Sequence, residues 1–360
     1  MVERHLPAKL LFVNHTEQVS GAETVLLGLV EHAVSRGHRV VVASPAGPLS
    51  ARLPVEVVHV TLPPLGLGSG PGPLRPARWA VRSAMAVRRL RRHSRCGTRV
   101  VVNSLLALPA AALAAPHRGA VWLVHDVVHR GDQRLVVRAV RAFLRRAVAV
   151  SEPTAVPLRA LGLAVTVAHN GVRWPVPAIS TTLHQPAVIG SLALLTPWKG
   201  QQVLLEAVAT LPQVVLELAG GHFPGDIEYV RALHERAELP DLAGRVRFLG
   251  HVEPRSALQG WDVAVSASIA PEAGPIAVLE AMSMGVPVVG THHGGTADYL
   301  AGGAGLLVRP GDAADLAAAL ARVLDDADLR ARVGGRARAR VAARHDARNT
   351  VSAMLDAVLK

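Results

Sequence analysis

Cysteine is almost missing from this chain. Cys96 is the only one among 360 residues, so no disulfide can form within it, and a cytoplasmic setting is expected. Aromatic residues make up 3%, which leaves Val, Leu and Ala to build the cores. The same scarcity removes the stacking platforms that hold single-stranded nucleic acid, and no nucleic-acid-binding motif is present. No run reaches the roughly 20 apolar residues that cross a bilayer; the segment 105–116 is too short and contains Pro109. The opening nine residues are polar and charged, so no secretory signal is expected. A GxxxxGK[ST] phosphate loop and a nucleophile elbow are both missing. Lysine occurs only at Lys9, Lys199 and Lys360.

Arginine is abundant instead, and the charge is uneven. Residues 1–175 carry 23 Lys+Arg against 8 Asp+Glu, a net +15, while 176–360 carry 16 against 19, a net −3. A basic half joined to a mildly acidic one predicts that the first meets something anionic. Two predicted helices concentrate the charge. The segment 79–95 sets Arg82, Arg88, Arg89, Arg91, Arg92 and Arg95 beside Trp79, Val81, Met85, Val87 and Leu90. Peripheral contact with an anionic membrane, or with an anionic acceptor, is expected there. The segment 134–146 holds five arginines, and packing on a sheet with the arginines in water explains them.

The order of elements points to two α/β domains. Strands are expected at 9–14, 40–43, 55–60, 100–103, 121–125, 147–150 and 165–168. Helices are expected at 22–36, 79–95 and 134–146, with a Pro/Gly-rich loop over 61–78. The alternation restarts after a Pro-rich stretch: strands at 188–193, 214–219, 246–249, 262–266 and 286–290, helices at 200–210, 227–237 and 276–284, and a helical tail from Asp312. Strands alternating with helices imply doubly wound parallel sheets. The expected division is a first Rossmann-like domain over 1–175, a linker over 176–186, a second Rossmann-like domain over 187–340, and a tail helix over 341–360 that packs back on the first. Ligands of such sheets lie beyond the carboxyl ends of the strands, so two facing sheets would share one cleft.

The most informative stretch is PEAGPIAVLEAMSMGVPVVGTHHGGTAD, 271–298. Glu272 lies in the loop after a strand. Gly274 permits close backbone approach to a ligand, and Pro275 is expected as the first helical residue, where its missing N–H costs nothing. The N–H groups of Ile276 and Ala277 then point out of the helix and suit a phosphate. Glu280 lies about one and a half turns further, within reach of a sugar hydroxyl. Upstream, Lys199 sits between a strand and a helix opened by Gly200, where a lysine neutralises phosphate as a point charge.

Glu272 and Glu280 are separated by seven residues, and the stretch resembles the E-x7-E signature of retaining GT-B glycosyltransferases of family 4, the group 1 glycosyltransferases. Further matches run along the chain: Ser20-Gly21-Ala22-Glu23, His125-Asp126, Val150-Ser151-Glu152, Asn170-Gly171-Val172, Thr196 to Gln201, Phe248-Leu249-Gly250, and Gly294-Gly295 with Asp298. The resemblance implies a GT-B fold and transfer of a sugar from a nucleoside-diphosphate donor. It assigns the diphosphate to Lys199, to the loop at Gly21 and to the backbone at Gly274, Pro275, Ile276 and Ala277. It assigns the ribose to Glu280, the base to Gly250, His251 and Val252, and the donor sugar to Glu272, with His125 assisting transfer from the other domain. It implies retention of anomeric configuration and no metal or other cofactor. A hexose, moved to a polysaccharide, lipid-linked or natural-product acceptor, is the expected cargo.

The chain departs from the family pattern at Ala193-Leu194, where Gly-Arg is usual, at Asp298 in place of Glu, and at Ala273 in place of Phe. A lost charged hydrogen bond is worth about 1.5–3 kcal/mol. The alternatives are therefore a GT-B nucleotide-sugar epimerase or pseudo-glycosyltransferase, or a non-catalytic nucleotide-sugar-binding partner subunit. The D-x-D triplet at 326–328 reads as solvated helix-end carboxylates. His292-His293 lack further ligands at metal spacing.

Overall fold

The computed structural model describes residues 7–65, 75–115, 119–179 and 182–360. The chain opening 1–6, most of the Pro/Gly-rich loop (66–74), Pro116 at the end of the short apolar segment, and Ser180 and Thr181 within the expected linker lie outside the described residues. Contacts divide the chain into two units, Met1–Asn170 with Asn349–Lys360, and Gly171–Arg348.

The first unit alternates strands and helices as β1 (Lys9–Val13), α1 (Gly21–Ser35), β2 (Arg39–Ser44), α2 (Pro48–Ala51), β3 (Val58–Thr61), α3 (Arg75–His93), β4 (Thr98–Val102), α4 (Leu108–Ala114), β5 (Ala120–Val124), α5 (Gly131–Val140), β6 (Leu144–Ala149), α6 (Glu152–Ala160) and β7 (Val165–Val167). All pairings are parallel, in the order β3-β2-β1-β4-β5-β6-β7. The central strands are apolar runs because helices cover both faces of a parallel sheet; Leu10, Leu11, Phe12, Val100, Val101 and Trp122 are fully buried. Helix α1 starts where Ser20 and Glu23 make a capping pair, the Ser20 N–H donating to Glu23 Oε2 at 3.1 Å.

Two sequence expectations change here. The helix expected over 134–146 ends at Val140, and β6 opens at Leu144, so Arg145 and Arg146 lie on a strand. Leu144 pairs with Ala120 of β5, and that ladder overrides the helical look of an arginine-rich run. The strand expected from Val55 opens only at Val58, after a turn closed by Val57 N–H donating to Pro54 O at 3.0 Å.

The second unit holds β8 (Ala187–Leu192), α7 (Gln201–Ala209), β9 (Val214–Ala219), α8 (Ile227–Ala237), β10 (Val246–Gly250), α9 (Pro254–Gln259), β11 (Val263–Ser266), α10 (Ile276–Met284), β12 (Val288–Thr291), α11 (Gly294–Leu300), β13 (Leu306–Val308), α12 (Ala313–Asp325) and α13 (Ala327–Arg344). Its parallel sheet runs β10-β9-β8-β11-β12-β13. The end of the expected first domain and the start of the expected linker are fastened to this unit instead, which opens at Gly171. Val172 bridges Asp346, the Ile179 N–H donates to Met284 O at 2.9 Å, and Arg338 stacks on Trp174 at 4.8 Å.

Helix α14 (Ala347–Leu359) belongs to the first unit. Arg99 Nη2 donates to Leu359 O at 2.8 Å, and Arg36 lies 3.6 Å from Asp356. In each sheet the strand order reverses beside the first strand, between β1 and β4 and between β8 and β11. Loops leaving those carboxyl ends diverge and open a crevice.

Because Leu355 is fully buried, Leu355→Ala should cost about 2–5 kcal/mol in denaturant unfolding. A change below about 0.5 kcal/mol would mean that α14 does not pack as described.

Candidate active site

In the second unit the reversal point is the carboxyl end of β8 and β11. The chain leaving β8 makes one short turn over Pro197–Lys199, and Gly200 then adopts φ 71° before α7. A Cβ on Gly200 would lie 2.1 Å from the Ala267 carbonyl oxygen, so only glycine lets this loop press against the end of β11. The Ile269 N–H donates to Trp198 O at 2.9 Å and closes the contact.

That approach brings the Lys199 ammonium onto Glu272 Oε2. Both side chains are nearly removed from solvent, at 14% and 8% exposure, where an unpaired charge would be costly. The other carboxylate oxygen, Oε1, accepts from Ser268 Oγ at 2.5 Å and Ser266 Oγ at 3.3 Å. Thr291 Oγ1 donates to the Ser268 carbonyl at 2.9 Å. The Lys199 Nζ also lies 4.3 Å from the Trp198 ring centre, within cation–π range.

The loop that carries Glu272 is clamped by the glycine pair at the start of α11. Gly294 sits at φ 54°, and a Cβ there would come within 2.4 Å of the Glu272 carbonyl oxygen. A Cβ on Gly295 would lie 2.3 Å from Ala273 O, and the Gly295 N–H donates to Glu272 O at 2.7 Å. Side chains at either position would push the loop, and Glu272 with it, off the lysine.

Pro275 proves to be the N-cap of α10 (φ −68°, ψ 114°) rather than its first helical residue. A helix end is defined only to within a residue or so, and the consequence for the site is unchanged. The N–H groups of Ile276 and Ala277 still open the helix without intrahelical acceptors. Lys199, Glu272, Pro275 and Ala277 line one cavity together with Ser191, Ala193, Trp261, Ser266 and Ser268. Gly274 borders the same loop, its Cα 2.9 Å from where a Gly295 Cβ would stand.

The remaining second-unit residues form a neighbouring group. β10 ends at Gly250 (φ 64°), whose carbonyl accepts from Gly220 N–H at 2.7 Å. His251 is exposed, and Val252 packs with Ile276 on one apolar cluster. Glu253 caps α9, accepting from Ser256 N–H at 2.7 Å. Glu280 is half-buried with no hydrogen bond to its carboxylate among the described residues. Burial, and secondarily the charge of Glu253, push it up to about 7.

In the first unit the reversal point lies between β1 and β4, and polar residues close each strand end. Asn14 follows β1, Asn103 follows β4 and His125 follows β5. The His125 Nε2 pairs with Asn103 Oδ1 at 3.1 Å, Asn103 Nδ2 donates to Asn14 Oδ1 at 3.1 Å, and Asn14 Nδ2 donates to Glu23 Oε1 at 3.2 Å. Burial pushes the His125 imidazole down to about 4, so it is neutral at pH 7. Gly21 is the first residue of α1, next to the capping Ser20.

Sequence reasoning missed Ser266, Ser268, Asn14, Asn103 and the role of Glu23. The signal for the asparagines is a polar residue directly after an apolar strand; nothing local marks the serines as partners of Glu272. Of the departures, Ala193 lies so close to Gly220 that a Cβ on that glycine would meet its carbonyl oxygen at 1.9 Å. The Leu194 carbonyl accepts from Gln201 Nε2 at 2.8 Å, and Asp298 faces Arg340 at 3.8 Å. Asp326, in the D-x-D triplet, caps α13 by accepting from Leu329 N–H at 2.8 Å. His293 caps α11.

Two parallel-sheet α/β units with crevices of this kind define the GT-B fold. A model of "Glycosyltransferase Family 4" matches residues 19–173, and one of "Glycosyl transferases group 1" matches 173–340. The chain belongs to the group 1 glycosyltransferases. It is similar to the lipopolysaccharide core biosynthesis glycosyltransferase LpsE of Rhizobium meliloti, 36% identical over 151 residues, 41% of this chain and 43% of that protein. It is similar to the phosphatidyl-myo-inositol mannosyltransferase of Mycolicibacterium smegmatis, 38% identical over 153 residues, 40% of this chain and 38% of that protein. The match thus spans about two fifths of the length of these curated relatives. Among solved structures, HepE of Anabaena in complex with UDP and glucose shares the fold, with a TM-score of 0.82 at 24% identity over 98% of this chain and 100% of that one.

The clamp can be tested directly. Gly294→Ala should lower affinity for nucleoside diphosphates at least tenfold while circular dichroism keeps its α/β shape. Unchanged affinity would show that the Glu272 loop does not depend on the glycine pair.

Proposed function

We propose that this chain is a retaining, metal-independent glycosyltransferase that moves a hexose from a nucleoside-diphosphate sugar to an acceptor hydroxyl. The observation that carries this reading is Lys199, held by buried Glu272 at the mouth of a Pro-capped helix. A lysine and a set of free backbone N–H groups converge where a diphosphate would lie, and both stabilise negative charge without a metal. HepE, which shares the fold, is described with UDP and glucose, and that supports a nucleoside-diphosphate sugar as the donor here.

Transfer breaks the bond between the anomeric carbon and the phosphate oxygen, and the electron pair stays on the departing diphosphate. Positive charge develops on the sugar ring. The acceptor oxygen bonds to the carbon on the face the phosphate leaves, and its proton passes to a phosphate oxygen. Lys199 and the N–H groups of Ile276 and Ala277 then stabilise the leaving group. Glu272 positions Lys199 and meets the sugar, Glu280 accepts from the ribose, and Gly250 to Val252 border the base. Neutral His125 serves as a hydrogen-bonding group toward the sugar rather than as a cation. The loop at Gly21 adds backbone donors for phosphate.

Leu194, where the family usually has arginine, favours one second reading. With one diphosphate cation fewer, the same site suits an epimerase, a pseudo-glycosyltransferase or a non-catalytic partner subunit. Release of free nucleoside diphosphate only when an acceptor is added separates transfer from those uses. In that assay Lys199→Ala should reduce turnover at least a hundredfold with the fold intact, and activity should survive EDTA. Loss with EDTA that magnesium or manganese restores would contradict the metal-independent mechanism.

Glu280 adds a pH signature. Its carboxyl keeps its proton up to about 7 in the folded chain against an ordinary 4.5, so the stability it contributes is lost as pH rises through that window. Ribose hydroxyls donating to the carboxylate favour its charged form. Nucleoside diphosphate affinity should therefore rise with pH between about 6 and 8, and Glu280→Gln should flatten the rise. An equal slope in the variant would assign the dependence to the phosphate alone.

A further inference from the structure

Between Glu56 and Asp126 the chain holds ten arginines and no acidic residue. Helix α3 carries the densest part. The seven described arginines from Arg78 to Arg95 form no ion pair among the described residues. Elsewhere in the chain arginines find carboxylates readily, as Arg236 does with Glu206 and Asp241. Like charges three and four apart on a helix repel, so this helix is under repulsion that nothing on its own surface relieves.

Its two faces divide cleanly. Ala86 and Leu90 are fully buried against the sheet, and Arg89 and Arg91 are pinned by donating to the carbonyls of Thr61 at 2.6 Å and Leu113 at 3.3 Å. The opposite stripe points to water, yet Val81 is 61% exposed and Met85 45% exposed at its centre. Leu113 of α4, beside Arg91, is 47% exposed. Arginines flank this apolar centre on both sides.

We infer that α3 docks this protein on an anionic lipid surface, with Val81 and Met85 entering the headgroup boundary and the flanking arginines meeting lipid phosphates. A helix that combines a basic rim with an apolar stripe lies in such an interface. Charge alone would suit any polyanion. The exposed apolar centre has nothing to offer a soluble polyanion, and it decides for the bilayer. The arginines of α3 from Arg78 to Arg92 also spread over about 21 Å of helix, far wider than one small anion. The inference is independent of the transferase reading, because it concerns a surface of the first unit that holds none of the proposed donor contacts.

Co-sedimentation of the full chain with phosphatidylcholine vesicles, alone and mixed equally with phosphatidylglycerol, tests it. Binding is expected to the anionic vesicles only and should weaken with salt. Arg88→Ser with Arg92→Ser should lower the partition coefficient about 25-fold, some fivefold for each arginine. Val81→Ser with Met85→Ser should lower it about tenfold while keeping the salt dependence. All these side chains are exposed, so the variants should keep the wild-type melting point and its upward shift with UDP. That shift reports the donor site separately: its absence in the wild type would count against the transferase reading and leave this one standing. No binding to anionic vesicles at low salt would overturn the inference. So would equal binding to neutral vesicles, or loss of vesicle binding to soluble polyphosphate that the apolar substitutions leave unchanged.

Discussion

Lys199 and Glu272 share a nearly dry space, and much of the second unit is arranged to keep them there. A buried charge pair persists only when its remaining hydrogen-bonding capacity is met. Ser266 and Ser268 meet it on one side, and the ring of Trp198 lies beside the ammonium on the other. Three glycines make the geometry possible. Gly200 lets the lysine loop close on β11, while Gly294 and Gly295 let α11 close on the Glu272 loop. Without a ligand, the glutamate supplies the negative charge that the lysine requires. In the function proposed above, a diphosphate would offer the same charge twice over, and the lysine would turn toward it without being left unpaired.

The same logic of strand ends operates in the first unit with different chemistry. There the polar chain from His125 through Asn103 and Asn14 to Glu23 contains no cation at pH 7, since burial keeps the imidazole neutral. One sheet thus presents a paired cation at its reversal point and the other a hydrogen-bonding network without a cation. Both arise because parallel strands end together and their loops part there.

Much of this architecture was legible from hydrophobic period. Strand Val214–Ala219 and helices Ile227–Ala237 and Ile276–Met284 fall where the pattern places them. Short helices were not legible. Helices such as α4, only seven residues of mostly alanine and leucine, carry no clear period, and the opening of β6, a strand expected only from Ala147, was hidden behind arginines that read as helical. In the site, Lys199, Glu272 and Glu280 stood out by rarity and spacing. Their supports did not, because Ser268 meets Glu272 only after a loop turns back, and Gly294 meets it from 22 residues further along the chain. Spacing reveals candidate chemical groups more readily than the residues that hold them in place.

The central claim is that Lys199 exchanges Glu272 for the donor diphosphate. Calorimetric titration of wild type and Lys199→Ala with a nucleoside, its monophosphate and its diphosphate measures this directly. The affinity gained on adding the second phosphate should be at least tenfold in the wild type and should vanish in Lys199→Ala, while the nucleoside binds both equally. A second-phosphate gain of the same size in both proteins would contradict the account.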